Sequence, residues 1–365
     1  MVPEHFQIGL LLKLQRLLTE GSFTASYKFA LLQAIIDLAV ERGDDSDAPL
    51  CIGLSDIAEK FISYYWRQVL PYVASSRPRE IAAGPIVADG PAPYGSVLRQ
   101  ITQANAVILA AVREAHARFG GSRAAARADK ASWQTLVRKV AQTVRVMPLW
   151  KLQTVGGQLD EFLYANRRGE AVDRIQLHRG VVFTLRRFHG LVQELVRGAW
   201  LRFVRGLKSN RRILGESEDL YEFLFGSERA SLQPHADMLR DIQSGACFYC
   251  YRRIDAKAQV DHFVPWSRYP LDLAHNFVLA HASCNESKSN LLASVEHLEQ
   301  WCDRNVQRGL EEQFAMSGLV YDLGASCAIT RWAYGLAEQG GSKVWRSKSA
   351  TAVVLDPRWR AVVGS

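Results

Sequence analysis

The stretch that decides the reading runs from Cys247 to Asn290. It contains Cys247-Phe248-Tyr249-Cys250, then Val260-Asp261-His262-Phe263-Val264-Pro265-Trp266-Ser267, then His275-Asn276-Phe277-Val278-Leu279. It closes with His281-Ala282-Ser283-Cys284-Asn285-Glu286-Ser287-Lys288-Ser289-Asn290. Two knuckles of the C-x2-C type, separated by thirty residues, together offer three thiolates and one imidazole: Cys247, Cys250, His281 and Cys284. That donor set and spacing match a tetrahedral structural Zn2+ site, which with four protein ligands keeps no position open for catalysis. Cys51, Cys302 and Cys327 have no partners at comparable spacing and read as ordinary thiols. The Asp261-His262 pair raises a geometrical question, because neighbouring residues of a regular strand point to opposite faces. The two serve one centre only at a strand end or bend, and Pro265 three residues later agrees with a bend.

This segment resembles the HNH endonucleases of the ββα-metal superfamily, over about 45 of the 365 residues. The resemblance rests on the order of the Asp-His pair, the middle Asn, the Cys-Asn junction and the following x-x-Lys between zinc knuckles. The third letter of the name is here Asn285, the HNN form, and His281 stands where a third zinc Cys is more usual. An imidazole ligand must be neutral, so zinc affinity becomes more pH-sensitive. What the resemblance implies is a metal-dependent endonuclease that hydrolyses DNA to 5′-phosphate and 3′-hydroxyl ends. In it Asp261 and Asn285 hold the catalytic cation, His262 is the general base, and Asn276 ties the loop that positions His262. The chemistry is consistent with that casting. A base neutral near pH 7 suits His. One carboxylate and one amide leave most metal positions to water and phosphate, as is typical of Mg2+, with Mn2+ or Ni2+ as substitutes. Lys288, three residues after Asn285 and hence on the same helix face, is expected to touch a substrate phosphate, with Arg268 as a weaker second. Trp266 is expected to pack against the motif, and His275 to be incidental. The helical flank and the Asp261-to-Ser267 wording resemble HNH nucleases of bacterial antiphage defence, such as the nuclease component of a Zorya-type system. That resemblance implies defence-system partner proteins and double-stranded DNA as substrate. Two other readings stay open: a non-catalytic zinc-knuckle nucleic-acid-binding module, and an RNA-directed or effector-toxin nuclease.

Outward from the motif, the composition sets bounds. The 365 residues carry 45 Lys+Arg, 37 Asp+Glu and nine His, a formal charge of +8. A hydrophobic fraction of 48% with 22% charged residues is ordinary for a globular chain and excludes wholesale disorder. No run approaches the roughly 18 apolar residues of a membrane span. The N-terminus lacks a basic n-region, and six scattered Cys make no disulfide scaffold, so a cytoplasmic protein with reduced thiols is expected. The charge is unevenly placed: residues 1–112 balance at −2, 113–212 at +14, 213–246 at −5 and 247–365 at +1. A block that basic suits a polyanion, because each cation set against a phosphate releases counterions.

The fold class expected is mainly α and multidomain, with a small zinc-stapled ββα-metal nuclease domain. Residues 1–75 read as a helical, winged-helix-like module, with an amphipathic helix over 25–41. Residues 76–96 form a Pro/Gly-rich linker, and 97–212 a basic α-rich module. Residues 213–243 form an acidic connector with two short helices, 244–300 the HNH domain, and 301–365 a helical C-terminal extension. Ile175, Leu177, Val181, Phe183 and Leu185 suggest a strand or hairpin around Gly180. In the helix from Leu191 to Lys208, Arg197, Arg202, Arg205 and Lys208 share one arc, a candidate phosphate-binding face.

Overall fold

A computed structural model describes residues 2–72, 97–100, 106–165, 172–214, 220–226, 232–254 and 257–364. The expected linker at 76–96 lies outside the described residues. The chain forms two compact units, Met1–Ser227 and Glu228–Ser365. Helices dominate both, and among the described residues no helix is long and apolar enough to cross a membrane.

The first unit runs α1 (Glu4–Glu20), α2 (Tyr27–Arg42), β1 (Leu50–Gly53), α3 (Leu54–Gln68), α4 (Val107–Arg118), α5 (Arg123–Ala128) and α6 (Lys130–Val146). It continues through β2 (Thr154–Val155), β3 (Gln158–Leu159), β4 (Arg174–Leu177), α7 (Val181–Arg187), α8 (His189–Gly206), α9 (Arg211–Leu214) and α10 (Leu220–Phe225). Helix α2 organises it. The sequence reads as amphipathic there, yet every residue from Tyr27 to Glu41 is buried. A helix that is covered all round needs neighbours on all sides, and they come from what the sequence suggested were separate modules. β1 pairs antiparallel with β4, Ile52 opposite Ile175, and one hydrophobic core extends from Leu10 to Leu224. The expected boundary between residues 1–75 and 97–212 is therefore absent. The polar residues of α2 are bonded rather than solvated: Asp37 accepts from Gln33 Nε2 at 2.8 Å and from the Tyr64 hydroxyl at 2.6 Å. Fully buried Arg186 donates to the Val40 and Gly43 carbonyls, each at 2.9 Å, and so caps the C-terminus of α2.

The strand expected to continue through Leu185 ends at Leu177 instead. Gly180 takes φ +77°, a left-handed conformation open to glycine, and a Cβ there would meet Phe6 at 2.8 Å. Beyond it Val181, Val182 and Leu185 are buried at helical spacing, so the period changes from two to 3.6 at that glycine. On α8, Arg202 and Arg205 are exposed, as is Lys208 in the following turn. Arg197 departs from the expected arc: its guanidinium lies over the Phe225 ring, 5.6 Å from the centroid, half-buried.

The second unit runs α11 (Ala236–Ile242), β5 (Gln259–His262), β6 (Phe277–Ala280), α12 (Ala282–Lys288), α13 (Val295–Asn305), α14 (Leu310–Met316) and α15 (Leu323–Gln339). A small hairpin, β7 (Lys343–Val344) and β8 (Val353–Val354), and α16 (Trp359–Gly364) complete it. The acidic stretch 213–243 is no free connector, because its two helices join different cores. Leu220, Phe223 and Leu224 of α10 are buried in the first unit. α11 leads to Gln243, whose side-chain amide exchanges two hydrogen bonds with Leu279 of β6, both 2.8 Å, and so completes that strand's edge. β5 and β6 pair antiparallel with Asp261 opposite Val278 and His262 opposite Phe277. Phe263 stacks on Trp301 of α13 at 5.4 Å, and Trp345 donates from Nε1 to Ser287 of α12 at 3.0 Å. The residues after 300 are thus part of the fold that carries the motif.

Candidate active site

β5, β6 and α12 form a hairpin and helix, and both metal-type donor sets are built on them and on the turn that precedes β5. Cys247 and Cys250 come from a tight turn in which Tyr251 adopts φ +59° and returns its N–H to the Cys247 carbonyl at 3.0 Å. The Phe248 N–H bonds the Leu279 carbonyl at 3.0 Å, which fastens the turn to β6. His281 and Cys284 open α12. The four ligand atoms lie within 4.8 Å of one another, and Cys250 Sγ is 3.3 Å from His281 Nδ1. The other ring nitrogen of His281 donates to the Arg253 carbonyl at 2.9 Å, which leaves Nδ1 as a ligand with its lone pair free. Burial, then the neighbouring Cys247 and Cys250 thiolates, push the Cys284 thiol up to about 12. Such crowding of thiolates is relieved by a bound cation. The cluster fits structural Zn2+.

The second set lines a cleft of about 470 Å3 that includes Gln259, Asp261, His262, Trp266, Asp272, Asn285 and Glu286. β5 ends at His262, and this strand end lets Asp261 and His262 face one cleft despite their adjacency. His262 Nε2 lies 2.8 Å from Asp272 Oδ1. A carboxylate only accepts, so Nε2 carries the proton and Nδ1 keeps its lone pair. The imidazole is boxed between Trp266 and Phe277, each ring centroid 5.1 Å away. Asn276 bonds both backbone groups of Val264: Oδ1 accepts from its N–H at 2.8 Å and Nδ2 donates to its carbonyl at 3.0 Å. Its own carbonyl accepts from the Phe263 N–H at 2.7 Å, so Asn276 ties down the turn that leaves His262.

Lys288 departs from expectation. It is fully buried, with Nζ 3.0 Å from Asp261 Oδ2 and donating at 3.0 Å to the His262 carbonyl. It therefore does not face a substrate phosphate. Three residues along α12 from Asn285 does share a helix face, but that face packs on the hairpin. The Tyr249 hydroxyl donates to the same Asp261 oxygen at 2.6 Å, and burial followed by the Asp261 charge holds that phenol well above its usual range. Arg268 is half-buried and outside the cleft lining, and burial lowers its affinity for the proton. Asn285 donates from Nδ2 to Gln259 Oε1 at 3.0 Å, which turns its carbonyl oxygen over to other partners. Asp261 Oδ1, the Asn285 oxygen and the cleft carboxylates Asp272 and Glu286 make an oxygen-rich set that fits a hard divalent cation.

Sequence reading missed several supports. Asp272 lies four residues before the motif Asn, and Tyr249 lies inside the first knuckle. Neither position carries a signal beyond nearness to the motif. Trp301, Arg304 and Asn305 all donate to the His275 carbonyl, and Arg304 also donates to the Phe277 carbonyl. The Arg304 guanidinium is buried without a carboxylate partner among the described residues, and burial pushes it down to about 10. His275, expected to be incidental, is fully buried, and its backbone is the point at which α13 grips the short turn that carries Asn276 into β6.

Two consequences are measurable. Asp272→Asn removes the acceptor that fixes the His262 tautomer and should lower kcat roughly 10- to 100-fold with little change in KM. A fall in affinity alone would contradict the orienting role. Lys288→Met leaves Asp261 as a buried charge with its cation gone and should cost about 3–5 kcal/mol of unit stability in urea unfolding. The double change Lys288→Met with Asp261→Leu should recover much of that loss, since the uncompensated carboxylate is then removed as well. A double variant no more stable than Lys288→Met would show that the pair does not account for the loss.

Comparison with protein families accords with this geometry. Residues 247–294 match the family model described as HNH endonuclease. A model described as a domain of unknown function, DUF8808, matches residues 7–224, more than half of the chain. The chain belongs to the DUF8808 family. No curated protein and no solved structure matches it. This DUF8808 member therefore joins a domain without an assigned activity to an HNH domain of the nuclease type. The HNH match implies a nucleic-acid substrate, and the Cys3His cluster could hold structural zinc.

Proposed function

We propose that the protein is a metal-dependent endonuclease that hydrolyses DNA phosphodiester bonds in bacterial defence against phage or other foreign DNA. The observation that carries the nuclease reading is the cleft in which His262, hydrogen-bonded through Nε2 to Asp272, shares a wall with Asp261 and Asn285. His262 Nδ1 takes the proton of a water as that water attacks phosphorus, and the bond to the 3′-oxygen breaks. Asp272 stabilises the imidazolium that forms. Asn276 and the Lys288 ammonium hold the strand end, so the base and Asp261 move little during the reaction. Asp261 and Asn285 would hold Mg2+, which when bound offsets the charge growing on the phosphoryl and leaving oxygens. The exposed Arg202, Arg205 and Lys208 of the first unit are the proposed contacts to the DNA backbone.

Incubation of the purified protein with supercoiled plasmid and Mg2+ tests the reading. Nicked or linear product is expected, and cleavage of RNA alone would replace DNA by RNA as the substrate. A protein that binds either nucleic acid but cleaves neither in Mg2+, Mn2+ or Ni2+ would leave the zinc module as a binding element.

A further inference from the structure

Of the two cations that the motif suggested for a substrate phosphate, Lys288 is buried against Asp261 and Arg268 lies outside the cleft lining. The cleft itself carries the carboxylates of Asp261, Asp272 and Glu286. An anionic substrate therefore needs cations from elsewhere in the second unit. They are present on two adjacent segments. The segment after Cys250 exposes Arg252 and Arg253, and the loop between β7 and β8 exposes Arg346 and Lys348. That loop lies beyond residues 247–294, which match the HNH model.

The two segments are packed together through Trp345, which is 1% exposed. Its ring lies 5.2 Å from that of Tyr249 and 5.5 Å from that of His297, and its Nε1 donates to Ser287 of α12. The Arg346 carbonyl accepts from His297 Nε2 at 3.0 Å. In the other segment the Arg252 carbonyl accepts from the Cys247 N–H at 2.8 Å, and the Arg253 carbonyl from His281 Nε2 at 2.9 Å. The backbones are fixed while the charged ends reach water, so little ordering is left to be done on binding.

These cations are largely uncompensated. Lys348 donates to the Ser283 hydroxyl of α12, which aims the ammonium without neutralising it. Arg346 has a weak surface partner, Glu296 at 3.7 Å. Among the described residues Arg252, Arg253 and Lys348 have no ion pair. Exposed like charges held side by side suit a polyanion, whose condensed counterions they release.

Patch and cleft lie on opposite flanks of α12. Ser283 and Ser287, which hold the loop, are four residues apart and share a face. Asn285, which lines the cleft, is roughly 160–200° round the helix from them at 3.6 residues per turn. A helix with its side chains is roughly 10–12 Å across, close to the ~12 Å width of the DNA major groove. A strand seated in the cleft is thus separated from the patch by α12, whereas the complementary strand of a duplex can lie on it.

We propose that Arg346 and Lys348, with Arg252 and Arg253, hold the backbone of the uncut strand of a DNA duplex whose other strand enters the cleft. The proposal rests on the nuclease reading and names the form of DNA that the site takes.

The test uses the full-length chain carrying His262→Ala, so that bound DNA is not consumed. It also carries Arg202→Gln, Arg205→Gln and Lys208→Gln, so that the first unit does not mask the second. Anisotropy titrations of a labelled duplex, and of one of its strands alone, are run over a range of salt. Zinc content and thermal melting report on the fold. Arg346→Gln with Lys348→Gln should weaken duplex binding roughly ten- to a hundredfold and make its salt slope shallower by about two. Affinity for the single strand, zinc content and melting should stay at parental values. Arg252→Gln with Arg253→Gln should act in the same direction, and Lys348→Arg, which keeps the charge, should bind as the parent does. Unchanged duplex affinity and slope in both pairs would overturn the proposal, as would a parent chain that binds no duplex. Equal losses for duplex and single strand would overturn the assignment to the uncut strand. Loss of zinc with DNA binding intact would overturn it as well, by assigning Lys348 to the thiolate cluster next to Ser283. With His262 restored, plasmid cleavage by a chain whose patch variants bind duplex normally would sink the patch alone. Patch-dependent duplex binding by a chain that never cleaves would sink the nuclease reading instead.

Discussion

His262→Ala should slow plasmid cleavage by about 10²- to 10⁴-fold in saturating Mg2+ while zinc content and DNA affinity stay at parental values. The size of the effect follows from what the imidazole supplies. It is the group in the cleft held with one nitrogen protonated against Asp272 and the other carrying a lone pair. Without it, water must be deprotonated by solvent. The structural cost of the change is small. The ring is partly exposed at the cleft, between Trp266 and Phe277, and water can fill the space its loss opens. Melting should therefore shift little, which separates loss of the base from loss of the fold. Partial recovery of cleavage with added imidazole would strengthen the assignment. Cleavage at the parental rate would remove His262 from the mechanism and point to another base in the cleft.

Removal of zinc should have the larger effect on stability. The purified chain should contain one equivalent of zinc, and chelation or Cys284→Ala should abolish the cooperative melting of the second unit. Structural zinc contributes about 10–16 kcal/mol in small zinc domains near pH 7. The hairpin it staples is short, with four paired positions between β5 and β6. The ligands come from both ends of that hairpin: Cys247 and Cys250 before β5, His281 and Cys284 after β6. Loss of the metal thus frees both ends at once. The first unit has its own core and should keep its transition. The pH dependence has a definite sign. Without metal the Cys284 thiol is pushed up to about 12 by burial and by the neighbouring thiolates, so protons compete with zinc for the site. Zinc-linked stability should be lost as pH falls and regained as it rises. Identical melting curves with and without chelator would exclude a structural role for the metal.

The motif was legible because its residues are close in sequence and chemically distinctive. Two knuckles, an Asp-His pair and two Asn within 44 residues point to an HNH domain before any fold is known. The four candidate zinc ligands are brought together in the structure, and Asp261, His262 and Asn285 share one cleft. Lys288 shows the limit of such reading. Spacing put it beside Asn285, but spacing cannot say whether a helix face meets solvent or the hairpin. The same limit explains Arg304, an ordinary helix-surface residue by pattern, which the fold buries against two backbone carbonyls.

What the sequence by itself determined is the local chemistry: the donor sets, the order of the motif, the helical character of most segments and the concentration of positive charge in residues 113–212. Only the tertiary structure decided which of these groups meet. It merged two expected modules, and the α10 part of the expected connector, into one unit around α2, because a helix buried on every side must draw its neighbours from distant parts of the chain. It paired His262 with Asp272, set Lys288 against Asp261, and buried Arg304 against two backbone carbonyls. Residue type and periodicity specify what a side chain can do and which way a segment folds locally. Burial and charge pairing between segments arise when the whole chain closes on itself, and they decide which of those capacities are used.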